Sequence, residues 1–441
     1  MNEINYNKLS VCDKEGRVFE KNRIIYRGIY NKESQILAFL KTDLYKVLLD
    51  KALIPKTDVT DLKVEGFYQV LVHETASCLN YPHEWSFEMY KDACLLILNL
   101  EEICQSYGYT VKDGHLFNIV FFDGRPKFVD IGSIVKKEVN NHVFIEEFKN
   151  RAFLPLLIWS EGHYGLAFVI LRESSLHLTK YDLVEIYRGL ILIKNLGIKS
   201  ISNYLNARKN IFPLFDSRSC QELKSAVSLL ELKNYKSTWV NYHKSLYEGG
   251  KLLSTPRFDK ILSIINELNV KSLTDVACNE GVFSLLVSQH CKSVKHITAI
   301  DYDENAINNF YKMVKSQHQV HNITMLVNNI IVPTYNHFEE LPEYRYKSEC
   351  VVALAVTHHL LLGQNYHIDI ILKKLAMISS KYVIVEFMPL GLWGGEGHQK
   401  PELPDYYTEN WFLENLKKEF IVLQKHNLET NRVCFVCEKH I

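Results

Sequence analysis

Residues 273–283 read Leu273-Thr274-Asp275-Val276-Ala277-Cys278-Asn279-Glu280-Gly281-Val282-Phe283, and Ala299-Ile300-Asp301 follows in the same unit. The stretch reads as a buried strand, a tight turn and a helix start, then a second strand that ends in a carboxylate. That arrangement suits a nucleoside-bearing ligand held at the carboxyl ends of parallel strands. Asp275 closes the first strand. Gly281 lets the backbone approach a ligand where the helix begins. Asp301, a little over ~20 residues on, is placed to accept both ribose hydroxyls.

Further along, Val351–Val356 is a wholly apolar run, as expected of a central parallel strand. It ends in Thr357-His358-His359-Leu360, at the face where ligands bind. Tyr382–Phe387 is the next strand, with Glu386 near its end. Phe420–Gln424 and Val433–Glu438 form a closing antiparallel pair. Helical spacing fills the gaps at Arg257–Leu268, Glu304–Ser316, Ile368–Ile378 and Thr408–Lys418. Strands alternating with helices predict an α/β, doubly wound sheet over Arg257–Ile441.

The glycine pattern selects the ligand. A dinucleotide site needs G-x-G-x-x-G, so that a pyrophosphate can lie on a helix N-terminus. Here Ala277 and Asn279 stand in place of two glycines, and no phosphate cradle is evident. The turn resembles motif I of class I S-adenosylmethionine-dependent methyltransferases, whose Rossmann-like sheet and cofactor the resemblance implies. Asp275, Ala277, Asn279, Gly281 and Asp301 would then be cofactor-binding. Asn328 and Asn329 stand where an Asp is usual for adenine recognition; an asparagine carbonyl can still accept from the adenine amino group.

Bulk properties narrow the class. A chain of 441 residues exceeds one ordinary core. Apolar residues make up 47%, so general disorder is excluded. Basic and acidic residues balance at 51 each, which disfavours a nonspecific grip on nucleic acid. Ten cysteines are scattered without a secreted disulfide pattern. Cys434-Phe435-Val436-Cys437 lies in a strand with no second ligand pair, so no metal site is expected. The longest apolar stretch, Phe153–Leu171, is interrupted by Pro155 and Ser160-Glu161-Gly162-His163 and falls short of a bilayer span. The start of the chain is polar, and a cytoplasmic location is expected.

Three blocks follow: 1–135, a mostly helical 136–250, and 251–441. In the first, Arg17–Glu20 and Arg23–Gly28 predict a hairpin, Asn31–Leu49 a helix, Val70–His73 a strand, Phe87–Tyr107 a long helix, and Asn118–Phe122 with Lys127–Val129 a second hairpin. In the second, helices are predicted at Val143–Ile158, Leu166–Ile170, Lys180–Asn195, Ser200–Asn210 and Cys220–Leu232. Asp113, Asn118 and Asp130-Ile131-Gly132 form a D-x-x-x-x-N then D-x-G set. Phosphoryl transfer uses such a set for a base and two metal ligands. The segment resembles the catalytic loop of kinase-like proteins, so the resemblance implies an α+β kinase-like domain. No Gly-rich loop or Val-Ala-Ile-Lys strand accompanies it, and Arg27 is the nearest basic candidate. An inactive kinase-like module is the expectation, without Mg-ATP.

His73-Glu74, Tyr81–Ser86, Lys112-Asp113, Asn118, Pro126, Ile131-Gly132-Ser133, Ala353–Leu360 and Val385–Pro389 together resemble a group of bacterial two-part proteins. These join a kinase-like half to a class I methyltransferase half, and some carry the description nodulation host-specificity protein. The resemblance implies polysaccharide biosynthesis and a small-molecule or glycan acceptor.

Methyl transfer requires an aligned nucleophile and, for a hydroxyl, a base. His358 and His359 are the candidates, with Glu386 a second polar anchor or a metal ligand. The Asn/Asp-Pro-Pro-Tyr/Phe motif of adenine methylation is absent, as is a cysteine nucleophile. Three readings remain: an O-methyltransferase whose kinase-like half docks the substrate, a bifunctional kinase and methyltransferase, and a non-catalytic scaffold. Gly391–His398, rich in glycine, is expected to lie over the site.

Overall fold

The computed structural model describes residues 4–7, 10, 13–137, 143–172, 219–233, 237, 239–240, 244–248, 251–316, 322–336 and 339–440. The helices expected at 180–195 and 200–210 lie outside the described residues. The chain forms two compact units. One comprises Met1–Ala76, Asn80–His83 and Phe87–Tyr235; the other comprises Ser77–Leu79, Glu84–Ser86 and Lys236–Ile441. Among the described residues, no helix is long and apolar enough to cross a membrane.

In the first unit β1 (Asn5–Tyr6), β2 (Gly16–Lys21), β3 (Ile24–Ile29), β4 (Thr57–Thr60) and β5 (Gln69–His73) build an antiparallel sheet in the order β1-β2-β3-β5-β4. Asn22 and Arg23 both take positive φ, 56° and 63°, which makes the two-residue turn that matches strand twist and pairs Lys21 with Ile24. The helix expected over 31–49 is two helices, Gln35–Phe39 and Asp43–Asp50. Thr42 divides them: its hydroxyl donates to Phe39 O at 2.7 Å and accepts from Tyr45 N at 3.2 Å, capping the second helix.

The long helix, Phe87–Ser106, buries Tyr90, Ile97 and Leu98 among others. It is followed by β6 (Tyr109–Val111), which pairs with β9 (Ile134–Lys136), and by the hairpin β7 (Ile119–Phe122) and β8 (Arg125–Phe128). The helix expected over 143–158 contains a wide π turn, Lys149–Phe153, before Leu154–Ser160. The wide turn accommodates Pro155, which has no N–H for the carbonyl four residues back.

In the second unit, β10 (Tyr247–Glu248) and β11 (Lys251–Leu252) form a short hairpin. The helix Pro256–Leu268 follows. It is capped by Thr255, whose hydroxyl accepts from Phe258 N at 3.2 Å, and it ends at Asn269 in the left-handed region. A seven-stranded sheet then forms from β12 (Ser272–Val276), β13 (His296–Asp301), β14 (Ile323–Val327), β15 (Ser348–Ala353), β16 (Ser379–Phe387), β17 (Phe420–Glu429) and β18 (Arg432–Lys439). Its order is β14-β13-β12-β15-β16-β18-β17. The first five strands are parallel, and β18 runs antiparallel to both β16 and β17.

The predicted doubly wound sheet and its closing pair are therefore present. Leu273, Cys350, Val351, Val352 and Ala353 have no exposure, as full coverage of both faces of a parallel sheet requires. The chain runs outward from β12 to β14 on one side, then crosses to β15 on the other. The break between β12 and β15 is the switch point, where such sheets hold ligands.

Candidate active site

The turn after β12 takes the shape that glycines would give, but mostly without them. Ala277 and Asn279 have φ of 58° and 54°, and Gly281 has 72°. A left-handed Ala costs roughly 1–2 kcal/mol, and such strain concentrates at functional sites. Backbone bonds hold the turn: Cys278 N donates to Ile300 O at 3.1 Å and Gly281 N to Cys278 O at 2.9 Å. Gly281 itself does not line the cavity described below. Its missing Cβ leaves room for the Phe310 ring, whose atoms lie 2.2 Å from where that Cβ would be. The glycine therefore serves packing and φ, where the sequence suggested close approach to a ligand.

Asp275, Ala277, Asn279, Asp301, Asn328, Asn329, His358 and His359 all line one cavity of about 680 Å³ at the switch point. Asp301 Oδ2 accepts from Asn279 N at 2.8 Å and Oδ1 from Asp303 N at 2.9 Å, so the second strand's carboxylate fastens the first strand's turn. Asp275 accepts from Ser284 Oγ at 2.6 Å. Among the described residues neither acid forms an ion pair. Burial pushes the Asp275 carboxyl up to about 7, opposed by the Ser284 hydroxyl and reinforced by the Asp301 charge. Burial likewise raises Asp301 to about 6, against the N–H groups of Asp303 and Asn279.

Asn328 and Asn329 reach the cavity but not in the expected way. Asn328 Oδ1 already accepts from Asn329 N at 2.8 Å and Thr334 N at 2.9 Å. Asn329 Oδ1 accepts from Ile331 N at 2.8 Å and Val332 N at 3.1 Å. A carbonyl oxygen has two lone pairs. Both side-chain carbonyls are therefore taken by the loop they close, and neither is left for an adenine amino group.

The turn after β15 is strained as well, with Ala355 at φ 50°. It leads into a π turn, His359–Gly363, in which Gln364 N donates to His359 O at 3.0 Å. The ring centroids of His358 and His359 are 4.1 Å apart, and Trp239 meets His359 edge-on at 4.8 Å. Burial lowers His358 to about 3, helped by His359 and Arg432. Burial also lowers His359, which is only half-buried.

Glu386 does not line the cavity. It is fully buried, and Arg257 grips it with a two-pronged contact, Nε to Oε1 and Nη2 to Oε2, each at 2.7 Å. Ala355 N donates to Oε2 at 2.9 Å and Arg432 Nη1 at 3.3 Å. The expected substrate anchor or metal ligand is instead the post that fixes the β15 turn. Arg257, Arg432 and Trp239 line the cavity and were not singled out from sequence. A signal for Arg257 exists: an arginine on the apolar face of its helix, in step with Ile261 and Ile264. Leu392–Glu396 of the glycine-rich segment also line the cavity, and Trp393 Nε1 donates to His398 O at 2.9 Å.

In the first unit, the Ser133 hydroxyl lies 3.1 Å from Asp113 Oδ2 and 2.5 Å from Asp130 Oδ2. Arg27 pairs with Asp130 at 3.1 Å and with Asp13 at 3.1 Å. Asn118 joins through its backbone: its carbonyl accepts from Val129 N at 2.8 Å. Among the described residues no group of three His, Cys, Asp or Glu side chains could hold a metal ion.

No family model matches the chain. The chain is 24% identical over 398 residues to nodulation protein NoeA of Rhizobium meliloti (strain 1021), a match covering 81% of this chain and 79% of that protein. Similar solved structures include the methyltransferase domain of bacterial CtHen1-C, at 16% identity and a TM-score of 0.32 over 42% of this chain and 98% of that one. The PH0226 protein from Pyrococcus horikoshii OT3 is similar at 13% identity and a TM-score of 0.35, over 47% of this chain and 100% of that one. A SAM dependent methyltransferase from Aquifex aeolicus is similar at 13% identity and a TM-score of 0.31, over 45% and 96%.

Proposed function

We propose that the second unit is an S-adenosylmethionine-dependent O-methyltransferase acting on a sugar or surface-glycan type of acceptor. One observation carries the reading: two buried carboxylates, Asp275 and Asp301, without ion pairs among the described residues, face one cavity at the switch point of the sheet. A nucleoside with an amino-acid tail supplies further hydroxyl donors and an ammonium group. The cavity of about 680 Å³ falls within the usual range of cofactor sites, roughly 300–1,000 Å³. The residues present therefore fit the group.

S-adenosylmethionine, when bound, supplies an electrophilic methyl group. The chain supplies placement and proton handling. The strained turn Ala277–Asn279, fastened by Asp301, holds its shape before any ligand arrives, so little ordering is needed on binding. His359 is neutral at neutral pH and retains exposure, so a ring nitrogen can take the acceptor's hydroxyl proton. His358 is too weak a base at about 3 and packs beside it. Glu386 acts at one remove, holding Arg257 and the Ala355 turn. A polyhydroxylated ring suits a lining that combines Trp393 with Glu396, Glu429 and Thr430.

Residues 1–135, with the helical continuation 136–250, are read as an inactive kinase-like module that docks the acceptor. Arg27 and Ser133 occupy the Asp130 carboxylate that phosphoryl transfer would need for a metal ion, which disfavours the bifunctional reading. The scaffold reading is disfavoured by the cavity itself. Of the two aromatic residues that could plug it, Phe387 packs in the core against Phe412, with ring centroids 4.8 Å apart, and Trp393 lines the open cavity. The test is calorimetric titration of the full chain with S-adenosylhomocysteine. Saturable binding is expected, and Asp301→Ala should weaken it at least about 100-fold, the worth of losing charge-assisted hydrogen bonds. Binding that survives this variant removes the assignment.

A further inference from the structure

Glu84 comes from the Tyr81–Ser86 stretch, and it belongs to the second unit. It has no solvent exposure. Its two oxygens are forked by Arg345, Nη2 to Oε1 at 2.7 Å and Nη1 to Oε2 at 2.8 Å. The Tyr346 hydroxyl donates to Oε1 as well, and Asn328 Nδ2 reaches Oε1 at 3.0 Å. Asn328 in turn lines the proposed cofactor cavity and closes the loop 328–334 with its carbonyl. That carbonyl's two N–H donors fix which way the amide points, so its NH2 must face Glu84, Tyr346 Oη at 2.8 Å and Thr334 O at 3.1 Å. The residues just before that stretch are tied down as well. Leu79 O accepts from Arg345 Nη1 at 2.6 Å, and Cys78 packs in one core with Val276, Ile300 and Leu326. Those three residues lie on β12, β13 and β14, whose ends form the cavity.

We propose that Glu84 is a positioning residue for cofactor binding: it anchors the Asn328 NH2 group, and through it the cavity wall at the end of β14. This rests on reading the cavity as the cofactor site. A buried ion pair is poor evidence for stability, because apolar residues of similar volume often replace such pairs without loss. An apolar pair would leave Asn328 Nδ2 only Tyr346 Oη and Thr334 O as acceptors, and would leave the Tyr346 hydroxyl without the carboxylate that holds it. The methyltransferase unit therefore needs a residue 244 positions upstream of Asn328 to shape its cofactor wall.

The test titrates S-adenosylhomocysteine into full-length wild type and three full-length variants, each checked by thermal melting. Glu84→Gln/Arg345→Met removes both charges but keeps a carbonyl acceptor, and should bind within about threefold of wild type. Glu84→Leu/Arg345→Met removes the charges and the acceptor; it should melt no lower than the Gln variant yet bind at least about tenfold more weakly. Tyr346→Phe keeps the ion pair and deletes the bridging hydroxyl, at a cost of about threefold in affinity. Equal affinity of the two double variants, or an unchanged Tyr346→Phe should the doubles fail to fold, overturns the role of Glu84. A wild type that gives no binding overturns the cofactor reading and this inference with it.

Discussion

The chain carries two pairs of aspartates, each brought together by its fold, and their surroundings differ. In the first unit, Asp113 and Asp130 share the Ser133 hydroxyl, and Arg27 neutralises Asp130 and Asp13 from within. In the second, Asp275 and Asp301 are more deeply buried, form no ion pair among the described residues, and are raised to about 7 and about 6. A carboxylate that the protein has already paired has little to offer a ligand. One that burial has made costly to ionise gains most from a ligand that supplies donors and positive charge. Sequence motifs mark both places alike; a direct ion pair, present in the first and absent from the second among the described residues, separates them.

The comparison breaks if the second pair loses its geometry. Gly281→Ala should do this with the largest effect. It forces a side chain into a left-handed residue and into the Phe310 ring. Destabilisation of about 2–4 kcal/mol is expected by denaturant unfolding, the sum of backbone strain and overpacking. Trimming the ring in Gly281→Ala/Phe310→Leu should return part of it. Full recovery would mean that φ strain is negligible at this turn.

Next in size is the pH response. Both acids are raised in the folded state above their ordinary value of 3.8. Their contribution to folding is thus fully present below about pH 4 and is lost as pH climbs through about 6 and 7. Without ligand, this pair makes the melting temperature fall between about pH 4 and 7, and Asp275→Asn should flatten that fall. Affinity for S-adenosylhomocysteine should run the other way. The ionised acids are the better acceptors, so binding weakens by up to about tenfold per pH unit below pH 6 for each proton that must leave. Affinity that is flat from pH 5 to 8 would show that neither acid meets the ligand.

Much of the second unit is legible in the sequence because its signals are local. The helices Glu304–Ser316 and Ile368–Ile378 match their expected bounds, and Asp303 caps the former by accepting from Asn305 N and Ala306 N. The apolar run before His358 and the carboxylates at two strand ends placed the cavity. What escaped the sequence is set by distant partners. The Arg257 fork that withdraws Glu386 from the cavity joins residues 129 apart. The loop bonds that consume the Asn328 and Asn329 carbonyls depend on how residues 329–334 turn back. Glu84 lies in a stretch singled out only for its resemblance, with no role assigned to it, and only the folded chain shows which core it enters. In the first unit, helical spacing alone did not reveal the break made by Thr42.

The smallest expected effect tests the comparison from its other side. Arg27→Met should make the first pair resemble the second, by removing the cation and keeping the bulk. Arg27 is 7% exposed at its side chain, whereas Asp13 and Asp130 are 22% and 30% exposed, so water compensates part of the loss. The cost should be about 1–2 kcal/mol on thermal melting. Wild type should give no heat with Mg-ATP, because Asp130 is already spoken for. If Arg27→Met acquires a magnesium-dependent heat with ATP while wild type has none, the arginine is what holds the first site shut. If wild type itself binds Mg-ATP, Arg27 must swing away from Asp130 when the nucleotide arrives, and the two pairs of aspartates are alike in being open to a ligand.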